Sequence, residues 1–418
     1  DFSYAFAPPH RLTVALPSSA DKTLLDAEPG KLRLAWSYDD LTRFPPMAYM
    51  WPAASWRVEV QPLLDGLPFA RSAWTRAEGW LPVLAHAYED ARGRIRIEAA
   101  GGQTGMVAHI RVANTGDRPH RFTVACRGPE GWAGANPAWV DPDDPGDALL
   151  AGWFERADRV LVLAVGAYCP TVDGKTLCLE WRLAAGERAE GWLIRPYRAY
   201  AADLPGLRTH DWAAELEAAK EAWRALLGRA ARVEVPDPGV QRAYQACLAD
   251  LFVMQEPIGN GYIAQTPGTE VYRANGSVEG AIQAVALDQA GLHAEAEASY
   301  RLSLESQGPD GDWADPQGWG HQMWGIPGWK AWAALEHYRL SGDRGYLERV
   351  YPRLVAASRF QERQRARTRV TAEDGERPVT YGLMPRGQGD AGLMDDHDFH
   401  GVFFPHNIWA VTADRLAV

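Results

Sequence analysis

Residues 211–231 read DWAAELEAAKEAWRALLGRAA, and the fold class turns on the change of period at this point. Apolar residues recur at helical spacing among Ala, Glu and Leu, and Asp211 stands where an N-cap belongs, so the stretch predicts an amphipathic helix. Upstream the pattern alternates at every second residue: RLTVAL, KLRLAWSY, SWRVEVQPLL, RIRIEAA, MVAHIRVANTG, HRFTVACRG, RVLVLAVGAY, TLCLEWRLAAGE and AEGWLIRPYRAY. Short alternating runs bounded by turn residues predict an antiparallel β-sandwich over residues 1–205, with 206–234 as a linker helix. MVAHIRVANTGDRPHRFTVAC reads as a hairpin turning at Asn-Thr-Gly-Asp. In LVLAVGAYCPTVDGKTLCLEWRL a two-residue turn at Asp173-Gly174 would place Cys169 opposite Cys178, either as a cross-strand disulfide or as two buried thiols.

Downstream the period stays helical. VEVPDPGVQRAYQACLADLFVMQ puts Pro236 and Pro238 at a helix start, with Ala243, Cys247 and Leu251 on its buried face. Further helices are expected over about 277–290, 292–307, 325–340 and 343–367, with a sixth from near His406. Joints at Ala290-Gly291 and Ser341-Gly342 are short, whereas 256–276, 308–324 and 368–405 are long and rich in Gly, Asp, Trp and His. Stacked αα-hairpins with long loops opening on one face predict a toroid over 235–418, and loops of that length are usually functional. The expected fold class is therefore multidomain β plus α: sandwich, linker helix, then a helical-hairpin toroid.

The 418 residues are 46% hydrophobic and 23% charged, enough for a large core. A net charge of −11 offers no footprint for nucleic acid or an anionic membrane, and no apolar run is long enough to cross a bilayer. Four cysteines exclude a disulfide scaffold, and nothing resembles a zinc ladder, a P-loop, a dinucleotide fingerprint or a serine nucleophile elbow. A chain opening on Asp1 is expected to follow a removed signal peptide or another processing boundary, which leaves the compartment open. Eighteen tryptophans suit a heavily packed core or stacking on sugar rings.

Two stretches carry a resemblance. GWGHQMWGIPGWKAWAALEHYRLSGDRGYLERVYPRL, residues 318–354, is similar to the α-L-rhamnosidase order of Gly-Trp-Gly-Asp, a Pro-Trp helix, Tyr, Gly-Asp, Leu and Tyr, with His321 where that family has Asp. TPGTEVYRANG, residues 266–276, resembles the rhamnosidase segment whose acidic residue three positions after Pro is the general acid, here Glu270; the Gly-Asp that follows in the family is VEGA here. The chain thus resembles the (α/α)6-toroid glycosidases with an N-terminal β-sandwich, the group that holds glucoamylases, rhamnosidases and sugar phosphorylases. The resemblance implies inverting glycoside hydrolysis without a cofactor, on a carbohydrate substrate. Six helices make only half of such a ring, and the chain stops at Val418 inside an apolar helical pattern. The rest of the native chain or a partner subunit is expected to close the toroid and cover its apolar hairpin faces.

Inverting hydrolysis needs an acid and a base about 6.5–9.5 Å apart. Glu270 is the expected acid, beside Tyr272 and Arg273 as substrate ligands, against the plain reading of a solvated loop carboxylate. Asp312 and Asp315 in GPDGDWADPQGW form the second acidic site, with Trp313, Trp319 and Trp324 as stacking faces and His321 as a ligand; the alternative is a tight turn with solvated Asp. Trp329 and Trp332 lie three apart within a helix and are read as core. In PRGQGDAGLMDDHDFHGVFFPHN, Asp395, Asp396, His397 and Asp398 are expected to bind sugar hydroxyls, near Asp390, His400 and His406, with Asn407 and Trp409 opening the next helix towards the same mouth. This loop is acidic and His-rich but matches no metal-ligand signature, and no metal is expected. The resemblance puts the general base beyond Val418; if it is not supplied there, one carboxylate of this loop serves as base. DPDDPGD, residues 141–147, reads as a solvated turn rather than a Ca²⁺ loop. Two other readings stand beside hydrolysis: a non-catalytic carbohydrate-binding protein on the same scaffold, and a sugar phosphorylase using Arg273 and His321 for phosphate.

Overall fold

The computed structural model describes residues 11–28, 31–37, 57–127, 135–140, 149–155, 159–166, 169–173, 176–269, 275–313, 323–388 and 400–418. The chain is mixed β and α, and its contacts divide it into two compact units, one built from the described residues up to 228 together with 233–253, the other from the described residues of 229–232 and 254–418.

The first unit holds two antiparallel sheets of eight strands. One runs in the order Arg11–Ala15, Lys22–Glu28, Lys31–Ser37, Arg57–Leu64, His120–Arg127, Thr176–Leu183, Cys169–Asp173, with Leu67–Pro68 paired to Arg57–Leu64. The other runs Ala135–Val140, Leu149–Glu155, Arg159–Gly166, Arg188–Pro196, Gly105–Asn114, Gly93–Gly101, Val83–Asp90, Arg71–Arg76. Alternate residues of both sheets meet in one buried cluster: Val60, Phe122, Val124 and Leu179 from the first, Tyr88, Ile95, Ile97, Ile110 and Val162 from the second. This is the burial that period-2 alternation predicts.

Two expectations are corrected here. Gly105–Asn114 and His120–Arg127 do not pair as a hairpin; they belong to opposite sheets, so residues 115–119 form an arch between them. Asn114 holds the arch, its Nδ2 donating to the carbonyls of Arg118 (2.8 Å) and Leu183 (2.9 Å) and its Oδ1 accepting from Gly116 N (2.9 Å). The second concerns the cysteines. Asp173 pairs with Thr176, which puts Cys169 opposite Glu180 and Thr171 opposite Cys178, and Cys178 remains a thiol. A slip of the turn by one position moves each strand partner by two, and the disulfide geometry disappears.

α1 (Leu204–Thr209) leads to α2 (Trp212–Leu227), whose start is capped as expected by the Asp211 carboxylate accepting from Ala214 N at 2.9 Å. The linker helix is fastened to the sheet unit. The Trp223 indole donates to Ala15 O at 3.0 Å, Glu215 accepts from Thr104 N at 2.7 Å, and Lys220 lies 2.6 Å from Glu98. α3 (Pro238–Val253) begins at the expected proline and packs within this first unit.

The second unit opens with a β-hairpin, Gln255–Gly259 and Tyr262–Gln265, turning at Asn260-Gly261 with both residues at positive φ. Among the described residues five helices follow: α4 (Ser277–Gln289), α5 (His293–Glu305), α6 (Ile326–Ser341), α7 (Arg344–Ala366) and α8 (Phe404–Leu416). α6 touches both α4 and α8, giving a row α4-α6-α8, while α5 packs on α4 and α6, and α7 on α6 and α8. The row is made of small residues: Ala281 and Ala284 on α4, Gly328, Ala331 and Ala334 on α6, Ala410 and Ala413 on α8. At Gly328 the approach is closest, since a Cβ there would lie 2.2 Å from the Trp409 carbonyl oxygen. At the other end of the helices Asp288 is buried between two imidazoles, 2.8 Å from His293 Nδ1 and 2.9 Å from His337 Nδ1, joining α4, α5 and α6.

Candidate functional site

The connections decide where chemistry can sit. α4 to α5 and α6 to α7 are joined by residues 290–292 and 342–343, whereas residues 254–276, 306–325 and 367–403 lead into the N-terminal ends of α4, α6 and α8. The N-terminal ends of one row therefore receive all three long segments, and each presents a positive helix-dipole end.

Glu270, Tyr272, Arg273, Asp315, Trp319, His321, Asp395, Asp396, His397 and Asp398 lie in these segments outside the described residues, as does Asp390. The residues on either side of them are described. Before α4, Thr266 Oγ1 donates to Met254 O at 2.6 Å, and Gly276 N returns to Gln265 O at 3.1 Å. Asn275 is buried, donating through Nδ2 to Ser303 Oγ at 2.9 Å, and the Tyr300 hydroxyl donates to Ser277 O at 2.6 Å. Both ends of the segment that carries Glu270 are therefore clamped.

Before α6, Asp312 closes a tight turn. Its carbonyl accepts from Gly308 N at 2.7 Å, its N–H donates to Asp310 Oδ1 at 3.1 Å, and Gly311 adopts φ +91° against the Ala356 carbonyl, where a side chain has no room. Gln307 ties the turn to α7 through Arg353 O at 2.8 Å. Asp312 itself is half-buried. The next residue departs from its expected role. Trp313 has 0% exposure, donates its indole N–H to Leu304 O at 2.9 Å and belongs to the helix core, so neither ring face is open to a sugar. Trp324 is likewise enclosed at 6% exposure, packed on Phe360, Met384 and Ala410 with its N–H on Arg386 O at 3.3 Å.

Before α8, Asn407 is occupied at both ends of its amide: Oδ1 accepts from Met384 N at 2.8 Å and Nδ2 donates to Phe403 O at 2.9 Å. His406 is buried against Phe403. Trp409 is half-buried and stacks on Trp329 with ring centroids 3.8 Å apart, while Trp332 meets Trp329 edge-on at 5.7 Å. The three indoles form one cluster across α6 and α8, of which only Trp409 was expected near the mouth.

Sequence reasoning missed Lys330. This ammonium is fully buried on α6, donates to Ser306 Oγ at 2.9 Å and lies 6.0 Å over the Trp313 ring. A lone charge among the apolar residues of GWKAWAAL was the available signal, because a helix buried on nearly every side cannot turn a lysine to solvent. Among the described residues no group of three or more His, Cys, Asp or Glu could hold a metal ion, and no helix is long and apolar enough to cross a membrane.

No protein-family model and no curated protein sequence matches the chain. Solved structures do. A bacterial glucoamylase complexed with acarbose is similar at 12% identity and TM-score 0.46 over 86% of this chain and 60% of its own. A kojibiose phosphorylase described as putative, from the human microbiome, is similar at 9% identity and TM-score 0.39, over 87% and 62%. A family GH92 inverting mannosidase from Bacteroides thetaiotaomicron is similar at 11% identity and TM-score 0.29, over 84% and 62%. The chain thus spans about 60% of the length of the glucoamylase, and the solved structures it is similar to here are carbohydrate-active enzymes.

Proposed function

We propose that the chain is the larger part of a glycoside hydrolase that cleaves a glycosidic bond with inversion, using carboxylates at the N-terminal ends of α4, α6 and α8. The observation that carries this reading is the placement of the long segments. Glu270, Asp312 and Asp315 fall in two of them, leading into α4 and α6, which lie side by side. Glu270 is proposed as the acid that protonates the leaving oxygen, and a carboxylate about 6.5–9.5 Å away would activate water on the opposite face of the sugar. Tyr272, Arg273, Trp319, His321, Asp395, Asp396, His397 and Asp398 are proposed as ligands of the sugar rings and hydroxyls. Asn407 and Trp409 serve the same site by shaping the entry to α8.

In the same proposal residues 235–418 are the N-terminal half of an (α/α)6 toroid, preceded by a β-sandwich over 1–205 and the linker 206–234. Phe404, Ile408 and Val411 form an apolar stripe on α8, exposed by 76, 63 and 47%. That stripe supports closure of the ring by further helices, from the rest of the chain or a partner subunit.

The test is a disaccharide and aryl-glycoside panel, with proton NMR of the first-formed anomer. Hydrolysis with inversion, lost by about 100-fold or more in kcat for Glu270→Gln at unchanged KM, is the expected result. Wild-type turnover by Glu270→Gln, or saccharide binding with no hydrolysis of any panel member, removes the catalytic reading.

A further inference from the structure

The outward face of the second sheet carries a feature that hydrolysis does not use. Across three neighbouring strands the register sets Arg94, Ala113 and Arg188 in one row and Arg96, Arg111 and Glu190 in the next. The third row, Glu98, His109 and Trp192, lies towards α2, which covers that end of the face through the Lys220–Glu98 pair at 2.6 Å. Among the described residues the first two rows line an open pocket of 430 Å³.

Its charge is unbalanced. Four guanidiniums line the pocket with a single carboxylate, Glu190, in a chain whose net charge is −11. Glu190 is drawn aside to His109 Nε2 at 3.1 Å, and Glu98 is shared between Arg111 at 3.2 Å and Lys220. Glu89 stands opposite Arg94 in the register but reaches Arg96 instead, at 3.9 Å. Among the described residues neither Arg94 nor Arg188 has a carboxylate partner. Arg96 and Arg111 face each other directly, a like-charge pairing that weakens a sheet. Such an arrangement is relieved by an anion, and a planar guanidinium fork suits carboxylate, sulfate or phosphate oxygens in pairs.

The spacing narrows the ligand. Arg94 and Arg188 flank Ala113, so their strands are two inter-strand steps apart, about 10 Å. One small ion would leave much of a pocket this wide unfilled, whereas a ligand with two oxyanions along its length engages both sides. A nucleic acid is disfavoured because the basic track is only two rows long, with Glu89 beside the first row and Glu98 in the third. We propose that this pocket binds an acidic oligosaccharide through its carboxylates, holding a chain by the β unit; the saccharide part of the proposal rests on the reading of the preceding subsection.

The test is titration calorimetry at low and physiological salt with trigalacturonate, maltotriose, inorganic phosphate and a single-stranded oligonucleotide of matched charge. Trigalacturonate is expected to bind with a steep salt dependence, and maltotriose not at this pocket. The double variant Arg94→Ala/Arg188→Ala is expected to weaken trigalacturonate at least about tenfold without lowering the melting temperature. Glu270→Gln leaves that affinity unchanged, which separates failure of this site from failure of the hydrolase reading. Undiminished trigalacturonate binding by the double variant, no binding by the native protein, or equal affinity for phosphate or the oligonucleotide overturns the proposal.

Discussion

Replacing Trp313 by alanine separates a packing role from a sugar-stacking role. The side chain is fully enclosed, so truncation removes a whole indole from the helix core and leaves a cavity among α5, α6 and α7. Core Trp→Ala changes cost about 3–5 kcal/mol, and the Leu304 carbonyl, which now accepts the indole N–H at 2.9 Å, would lose a partner worth about 1 kcal/mol more. A total near 4–6 kcal/mol is a large share of the roughly 5–15 kcal/mol that holds a domain folded. Trp313→Phe keeps most of the volume and forfeits the hydrogen bond, for a loss of about 1–2 kcal/mol. Urea unfolding should show the midpoint falling at unchanged slope, and amide exchange should locate the loosening in α5 and α6. If Trp313→Ala unfolds within about 1 kcal/mol of the native protein yet loses saccharide binding, the enclosed-core argument is wrong.

Three other perturbations bear on the frame. Gly328→Ala drives a methyl group into the Trp409 carbonyl, 2.2 Å away, and overpacking of this kind costs about 1–3 kcal/mol; an unaltered melting temperature would show that α6 and α8 separate freely. His86 is buried beside Tyr88, its Nδ1 3.0 Å from the phenol oxygen, and burial lowers its pKa to about 4 from 6.5. The native state thus resists protonation, so stability is full above about pH 6.5 and falls towards pH 4 by up to about 3 kcal/mol, a decline that His86→Gln should lack; parallel pH curves for the two proteins would refute it. Asp211→Ala removes the cap of α2 and should cost about 1 kcal/mol in chemical denaturation, whereas Asp211→Asn should recover most of it.

Periodicity located every helix from α2 onward to within a few residues, because Ala- and Leu-rich segments with Asp or Pro at their starts carry their own boundary signals. Asp211 and Asp343 both accept from the N-terminal turns of their helices, as such residues do. The alternating runs were legible as strands but not as partners, and Lys22–Glu28, Arg71–Arg76, Val83–Asp90, Ala135–Val140 and Leu149–Glu155 were not among them. Gly105–Asn114 and His120–Arg127 alternate identically whether the chain doubles back within one sheet or crosses to the other, and Asn114 decides between them through carbonyls that include one sixty-nine residues away. The cysteine pairing failed on phase, a single position in the turn. The hairpin at Asn260-Gly261 carried a strong two-residue turn signal but strands too short to stand out. The tryptophans were ambiguous for a chemical reason: an indole suits a core and a sugar face equally, and only the carbonyl accepting its N–H shows Trp313 and Trp324 turned inward.

The burial of Asp288 between His293 and His337 and the contact of Gly328 with Trp409 bear on how such a molecule could change over time. Rigidity is invested in the joints and helix contacts, and Thr266, Gln307 and Asn407 fasten the described residues that flank the three long segments. Connecting segments in general tolerate sequence change better than the helices they join. A library confined to residues 267–274, 314–322 and 389–399 should retain folded members at a far higher rate than one of equal size spread over α4, α6 and α8, which makes evolvability a property of where this chain places its glycines and alanines.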